Sequence, residues 1–78
     1  MKKIPNLLRE TYEHNGYIIE TYAGSGVYEA WLCNPAYGVK MLMFGVPQEQ
    51  QPYEEFVNIV FANAEDYIET YKAEYEDE

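Results

Sequence analysis

The chain has one cysteine and one histidine among its 78 residues, which limits both disulfide and metal chemistry. Cys33 has no second cysteine with which to form an internal disulfide, and a lone cysteine fits a reducing compartment. One cysteine and one histidine also fall short of the usual four ligands of a zinc site, unless carboxylates or another chain complete it. We therefore predict no metal, no cofactor and a cytoplasmic location.

Basic residues and long apolar runs are also scarce. The chain has 5 Lys and Arg residues against 14 Asp and Glu, and its net charge is −9. Affinity for phosphates comes from Lys and Arg, so this composition disfavours direct binding of nucleic acid. No apolar segment of signal-peptide or membrane-spanning length is present. We expect neither export nor insertion into a membrane.

Apolar and aromatic residues are abundant enough for a folded core. The apolar fraction is 47%, and nine tyrosines supply most of the aromatic side chains. A chain of this length forms a core near the lower limit of independent stability. The sequence predicts one small α+β domain over residues 1–78.

Turn residues divide the first half of the chain into short extended segments. Asn15 and Gly16 form the pair preferred in two-residue type I′ hairpin loops, where His14 would face Tyr17 and Tyr12 would face Ile19. Residues 17–23 and 27–33 are rich in β-branched and aromatic side chains and flank a glycine-containing loop. Residues 39–46 form a third extended segment that ends near Pro47. These segments predict three antiparallel strands in meander order.

Residues 6–13 fit either one helical face or the first arm of the hairpin at Asn15 and Gly16. We favour a strand, which gives the order ββββα with strands within residues 7–46; the alternative is αβββα. The alternative order matches that of double-stranded-RNA-binding domains, but those need a basic cluster on the last helix. Here that helix offers only Lys72, so the charge argues against the function.

The C-terminal third has the spacing of a long amphipathic helix over residues 52–75, followed by a frayed acidic tail at 76–78. Such a helix would be about 34 Å long, whereas strands of about seven residues reach roughly 23 Å. We therefore expect the end of the helix to extend beyond the sheet and to leave Tyr71 and Tyr75 uncovered. The predicted fold class is α+β, a small antiparallel β-meander of three to four strands packed on one long helix.

Alternation along the strands indicates which residues a partner would meet. In residues 27–33, Glu29 and Trp31 share one face, while Tyr28, Ala30 and Leu32 suit the helix side, since Glu29 would not be buried unpaired. Met and Trp are enriched at interfaces. The hypothesis is a non-enzymatic protein-interaction module that self-associates as a homodimer. Its predicted interface residues are Tyr71, Tyr75, Ile68, Trp31, Met41 and Met43.

The acidic helix supports an alternative function. Nine of the 14 acidic residues fall within residues 52–78, so the outer helix face could imitate a phosphate backbone and occupy the basic groove of a nuclease. In size, charge and helix the chain is similar to small phage-encoded inhibitors of restriction or CRISPR nucleases. The charges that would act in this way are Glu55, Glu65, Asp66, Glu69 and Glu76. The simpler interpretation is that they keep the protein soluble.

Candidate catalytic groups are few. His14 lies beside the predicted turn, and a general base needs an oriented partner and a pocket, which the sequence does not show. Cys33 lies in a strand with no histidine nearby and is interpreted as a small buried side chain. Glu20 and Glu29 could approach each other across the second hairpin, but an acidic chain contains such pairs by chance. The sequence thus favours binding over catalysis.

Overall fold

The structure, a computed structural model that describes residues 7–24 and 26–76, is a four-stranded sheet followed by helices. The strands are β1 (Leu7–His14), β2 (Tyr17–Ala23), β3 (Val27–Asn34) and β4 (Val39–Pro47). The helices are α1 (Tyr53–Ala62) and α2 (Ala64–Tyr71), with a 3-10 turn at Gln48–Gln50 and a π-helical turn at Lys72–Glu76. The α+β prediction is confirmed. Predictions that fall on residues 1–6, on Ser25 or on residues 77–78 lie outside the described residues.

The sheet is an antiparallel meander with the spatial order β1-β2-β3-β4. Its first turn has Asn15 at φ 54° and Gly16 at φ 85°, the left-handed pair that a type I′ turn requires. In the β1–β2 pairing His14 lies opposite Tyr17 and Tyr12 opposite Ile19, as predicted. The first segment is therefore a strand, and the alternative order αβββα is wrong.

A β-bulge in β4 changes which of its side chains face the helices. Ala30 of β3 pairs with Phe44 and the next residue, Trp31, pairs with Leu42, so Met43 is the extra residue. Met43 is buried in the core, and the ring of Phe44 packs 5.4 Å from that of Phe56 in α1. Strict alternation along β4 would place Phe44 on the same face as Leu42. The bulge instead turns two successive side chains, Met43 and Phe44, towards the helices.

The predicted long helix is divided at Asn63, which has φ −113° and ψ 7°. Its backbone N–H donates to the carbonyls of Ile59 and Val60, and its side-chain Nδ2 donates to the Ile59 oxygen at 2.9 Å. An asparagine side chain that bonds the preceding turn competes with continuation of the helix. The helical layer is thus α1, a break at Asn63, α2 and a final π-helical turn.

The core lies between the helices and one face of the sheet. It is assembled from inward-facing residues of three strands and from the apolar stripe of both helices, as the spacing of that stripe predicts. The buried apolar residues are Tyr17, Ile19, Ala30, Leu32, Met41, Met43, Phe56, Val60, Ala64, Ile68 and Tyr71. This arrangement leaves the opposite face of the sheet without a helix over it in the described part of the chain.

Four of the six predicted interface residues belong to this core. Ile68, Tyr71, Met41 and Met43 have exposed fractions of 3%, 0%, 9% and 6%. Tyr71 is covered because β3 and β4 extend beneath the end of α2, where its hydroxyl donates to the Val39 carbonyl at 2.6 Å and accepts from the Asn34 N–H at 3.2 Å. The expectation that Tyr71 extends beyond the sheet is therefore wrong.

Candidate interaction surface

The side of the sheet opposite the helices is here called the open face. Strand register and the bulges place the following residues on it: Leu8, Thr11 and Glu13 of β1; Ile18, Glu20 and Tyr22 of β2; Glu29, Trp31 and Cys33 of β3; and Lys40, Leu42 and Gly45 of β4. Leu8 and Leu42 have exposed fractions of 52% and 47%. Tyr28, Ala30 and Leu32 pack on the helix side, as predicted. The open face is thus a partly apolar surface.

Trp31 lies near the centre of the open face. It is half-buried, and its neighbours on the adjacent strands are Glu20 on β2 and Leu42 on β4. The indole Nε1 donates to the Oε1 of Glu29 at 3.3 Å. Glu29 itself lies opposite Gly45, where a Cβ would sit 3.2 Å from the Tyr28 carbonyl oxygen and in ordinary contact, at 3.5 Å, with the Glu29 Cγ. The result is an aromatic ring with a carboxylate held at its edge.

A second carboxylate on this face already has a cation. Glu20 Oε1 lies 2.9 Å from the Lys40 Nζ and accepts the Tyr22 hydroxyl proton at 2.9 Å. The Glu20 side chain is only 16% exposed, while Lys40 is 49% exposed. The hydrogen bond to Glu20 raises the pKa of Lys40, and burial followed by the bond to Glu20 raises the pKa of Tyr22. Glu20 is therefore a mostly buried carboxylate on the open face whose charge is paired with Lys40.

The other accessible residue of the predicted interface is Tyr75, which is 38% exposed. It lies in the π-helical turn, on the helix side of the sheet, with its ring 4.9 Å from that of Tyr71. Trp31 lies on the opposite side of the sheet. The structure does not bring the six predicted interface residues together into one surface.

The five predicted mimic charges also divide. Glu55, Asp66 and Glu69 are exposed on the helices. Glu65 is exposed but accepts from the Asn15 Nδ2 at 2.7 Å. Glu76 is half-buried and accepts from Tyr17 and Asn34, so it is used within the fold.

The sequence could not reveal how the edge strand β1 is attached to the helices. Glu10 accepts hydrogen bonds from the hydroxyls of Tyr12 and Tyr53, the latter at 2.6 Å, and Tyr53 accepts in turn from Thr21 at 2.7 Å. The guanidinium carbon of Arg9 lies 4.3 Å from the centre of the Tyr53 ring. The bonds from Tyr12 and Tyr53 lower the pKa of Glu10, while burial and then the bond to Glu10 raise the pKa values of both tyrosines.

A similar cluster attaches the C-terminal turn to β2 and β3. Glu76 Oε2 accepts from the Tyr17 hydroxyl and from Asn34 Nδ2, both at 2.7 Å. The Asn34 bond, followed by the Tyr17 bond, lowers the pKa of Glu76. Burial, followed by the bond to Glu76, raises the pKa of Tyr17 to about 12 from its ordinary 10.0. Glu76 was predicted to be frayed; its two bonds hold it against the sheet instead.

The raised tyrosine pKa predicts a loss of stability in alkali. A group whose pKa is higher in the folded state stabilises the fold below its unfolded value, and that contribution disappears as the pH rises through the folded value. For Tyr17 the window runs from 10.0 to about 12. The free energy of unfolding, measured by urea titration at several pH values, should fall across this window. Tyr17→Phe should make the fall shallower, and an unchanged slope in that variant would contradict the role of Tyr17.

His14 has an oriented partner that its position in the sequence did not reveal. Its Nε2 lies 2.9 Å from the Glu65 Oε2, and its ring packs 5.9 Å from that of Phe61. His14 and Glu65 are far apart in the chain, so only the docking of α2 beside the first hairpin brings them together. The pair attaches the hairpin to α2.

The described residues offer few features of an active site. Within residues 7–24 and 26–76, no three His, Cys, Asp or Glu side chains are arranged to hold a metal ion. A shallow, solvent-open depression of about 340 Å³ is lined by Glu69, Lys72, Ala73 and Glu76. Its lining residues lie in α2 and the C-terminal turn and do not include His14 or Cys33. The described helices are also too short or too polar to cross a membrane.

Comparisons with known proteins supply no family or relative from which a function could be inferred. No protein-family model matches the chain, and searches of curated proteins and of solved structures find no match either.

Proposed function

We propose that this chain is a small, non-enzymatic interaction module that binds another protein through the open face. The observation that carries the proposal is the one-sided architecture, in which both helices pack on one side of the sheet and the other side presents Trp31 and Leu42. Uncovered apolar surface with polar residues around it is typical of protein-binding sites. Trp is also among the residues that contribute most to binding energy in such sites.

The sequence favours a second copy of the chain as the partner, and self-association stays a prediction. Its basis has changed, however, because Ile68 and Tyr71 are buried within one chain. A homodimer through the open face would bring Trp31 and Leu42 from the two copies together. The experiment on this face must therefore distinguish a second copy from a different protein.

A second candidate is the nucleic-acid mimic, which the exposure of Glu55, Asp66 and Glu69 on the helices favours. These carboxylates lie on the layer opposite the open face, so the two proposed functions use separate surfaces. Lys72 is the one basic residue in the described helices and C-terminal turn, and its Nζ lies 3.9 Å from Glu69. A basic groove would meet a layer that is almost entirely negative.

Photo-crosslinking in the native cell tests both functions at once. A photoreactive phenylalanine analogue is placed at Leu42 on the open face or, as the matched variant, at Glu69 on the helices. We expect a discrete crosslinked product from position 42 and none from position 69, with mass spectrometry identifying the partner or a second copy. A product from position 69 alone, containing a nuclease, would favour the mimic. Absence of a product at position 42 would contradict the interaction module.

A further inference from the structure

We propose that the partner of the open face places an arginine or lysine side chain against the Trp31 ring and the Glu29 carboxylate. This inference rests on the proposed function and names the chemistry of the partner. It follows from three features of the face: a carboxylate without a cation among the described residues, an aromatic ring beside it, and a surplus of negative charge that disfavours a second copy.

Glu29 is the carboxylate that a partner would have to satisfy. Its one side-chain bond to a described residue comes from the Trp31 Nε1, and none of the ion pairs within residues 7–24 and 26–76 includes Glu29. Covering Trp31 with apolar surface alone would take Glu29 out of water without a cation. Burying a charge in this way is costly unless it is paired and hydrogen-bonded. A partner that excludes water here therefore needs a basic group at Glu29.

Trp31 supplies the second half of such a site. A cation over the face of an indole ring is attracted by the negative potential of that face, and Trp binds cations better than other aromatic residues. The hydrogen bond to Glu29 holds the carboxylate at the edge of the same ring, 3.3 Å from Nε1. One guanidinium group could bond Glu29 while its plane stacks on Trp31. The neighbouring Leu42 would cover the aliphatic stem of that side chain.

A second copy does not offer this cation from the described residues. The open face carries Glu13, Glu20 and Glu29 against Lys40, and Lys40 is already paired with Glu20. Two such faces would therefore bring surplus negative charge together. Arg9 stacks on Tyr53 at the helix side, and Lys72 lies in the C-terminal turn. Among the described residues, the charge balance thus favours a different protein with a basic residue at its centre over a second copy.

The test begins with a displayed library of random linear peptides selected against the full chain. We expect the enriched peptides to share an arginine or lysine between apolar residues. A synthetic copy of the strongest arginine peptide is then titrated against the protein while Trp31 fluorescence is followed, beside a copy with citrulline in place of arginine. Citrulline keeps the shape of the side chain and removes its charge. We expect at least about tenfold weaker binding of the citrulline peptide.

Matched variants locate the binding site on the protein. Glu29→Gln keeps the shape of the side chain and should weaken the arginine peptide to a similar extent. Glu69→Gln makes the same change in net charge on the helix layer and should leave binding unchanged. Trp31→Leu should weaken binding as well, with peptide binding then followed by calorimetry and folding checked by circular dichroism.

The outcomes separate this inference from the proposed function. Enriched peptides that lack a basic residue but still depend on Trp31 would overturn the cation site and leave the open face as a binding surface. Equal weakening by Glu29→Gln and Glu69→Gln would show non-specific attraction to an acidic protein and would also overturn it. Leu42→Asp places a charge on the exposed apolar part of the open face. Peptide binding that is unchanged by both Trp31→Leu and Leu42→Asp, or a library without enrichment, would count against the inference and the proposed function together.

Discussion

Replacing Tyr71 with alanine is expected to lower the free energy of unfolding by about 3–5 kcal/mol, as large-to-small changes of buried aromatic residues do. The ring has no exposed surface, and its hydroxyl joins the ends of β3 and β4 through Asn34 and Val39. A domain of this length has a total stability of about 4–12 kcal/mol. The variant should therefore be partly or largely unfolded, which urea titration followed by circular dichroism would measure.

Two further variants serve as comparisons. The first tests the Tyr71 hydroxyl without removing the ring, and the second removes a more exposed tyrosine from the same side of the helix. Tyr71→Phe keeps the ring but leaves the Val39 carbonyl without its donor, which should cost about 1–3 kcal/mol. Tyr75→Ala removes a ring one helical turn later that is 38% exposed, and it should cost about 1 kcal/mol. If Tyr71→Ala were no more destabilising than Tyr75→Ala, the placement of Tyr71 in the core would be wrong.

The contrast between these two tyrosines shows why the sequence misplaced Tyr71. Helical spacing correctly put Tyr71 on the apolar stripe, but length alone suggested that the helix would pass beyond the sheet. The break at Asn63 and the reach of β3 and β4 to Asn34 and Val39 both alter that geometry. Neither follows from periodicity, since an asparagine inside an apolar stripe is compatible with an unbroken helix.

Local turn chemistry was a better guide than overall geometry. Asn15 and Gly16 have the left-handed backbone of the predicted turn, and the register of the first hairpin follows from it. The order of the four strands follows from similar short-range signals. In contrast, the bulge at Met43 is not encoded by a glycine or proline at that position. Its consequence, the inward-facing Phe44, could not be predicted by counting alternate residues.

The candidate surface was predicted in part. Alternation along the strand placed Trp31 and Glu29 on the same face. That face was assigned to the side away from the helices because Glu29 could not be buried unpaired, and the pairing of β2 with β3 agrees. The sequence did not reveal that Lys40 reaches Glu20 across β3, which leaves Glu29 as the carboxylate without a cation among the described residues. That contact depends on side chains from two non-adjacent strands. Only the assembled sheet distinguishes the two glutamates.

Replacing Phe56 with alanine should have an effect comparable to that of Tyr71→Ala, about 3–5 kcal/mol of unfolding free energy. Phe56 has no exposed surface and lies at the centre of an aromatic group, with ring centres of Tyr28 and Phe44 at 5.4 Å and that of Tyr53 at 6.3 Å. Its loss would remove the aromatic contacts of α1 with Tyr28 on β3 and Phe44 on β4. Thermal and urea unfolding followed by circular dichroism would measure the change.

Phe61→Ala is the matched control, because it makes the same chemical change in the same helix at a half-buried position beside Tyr12. It should cost less than Phe56→Ala, since part of the ring is already in water and a smaller cavity forms. Phe56→Leu, which retains most of the apolar volume, should recover much of the loss. Equal destabilisation by Phe56→Ala and Phe61→Ala would mean that α1 packs on the sheet through the edge near β1. The packing of Phe56 over the centre of the sheet, including its contact with the inward-facing Phe44, would then contribute less to the free energy of unfolding than expected.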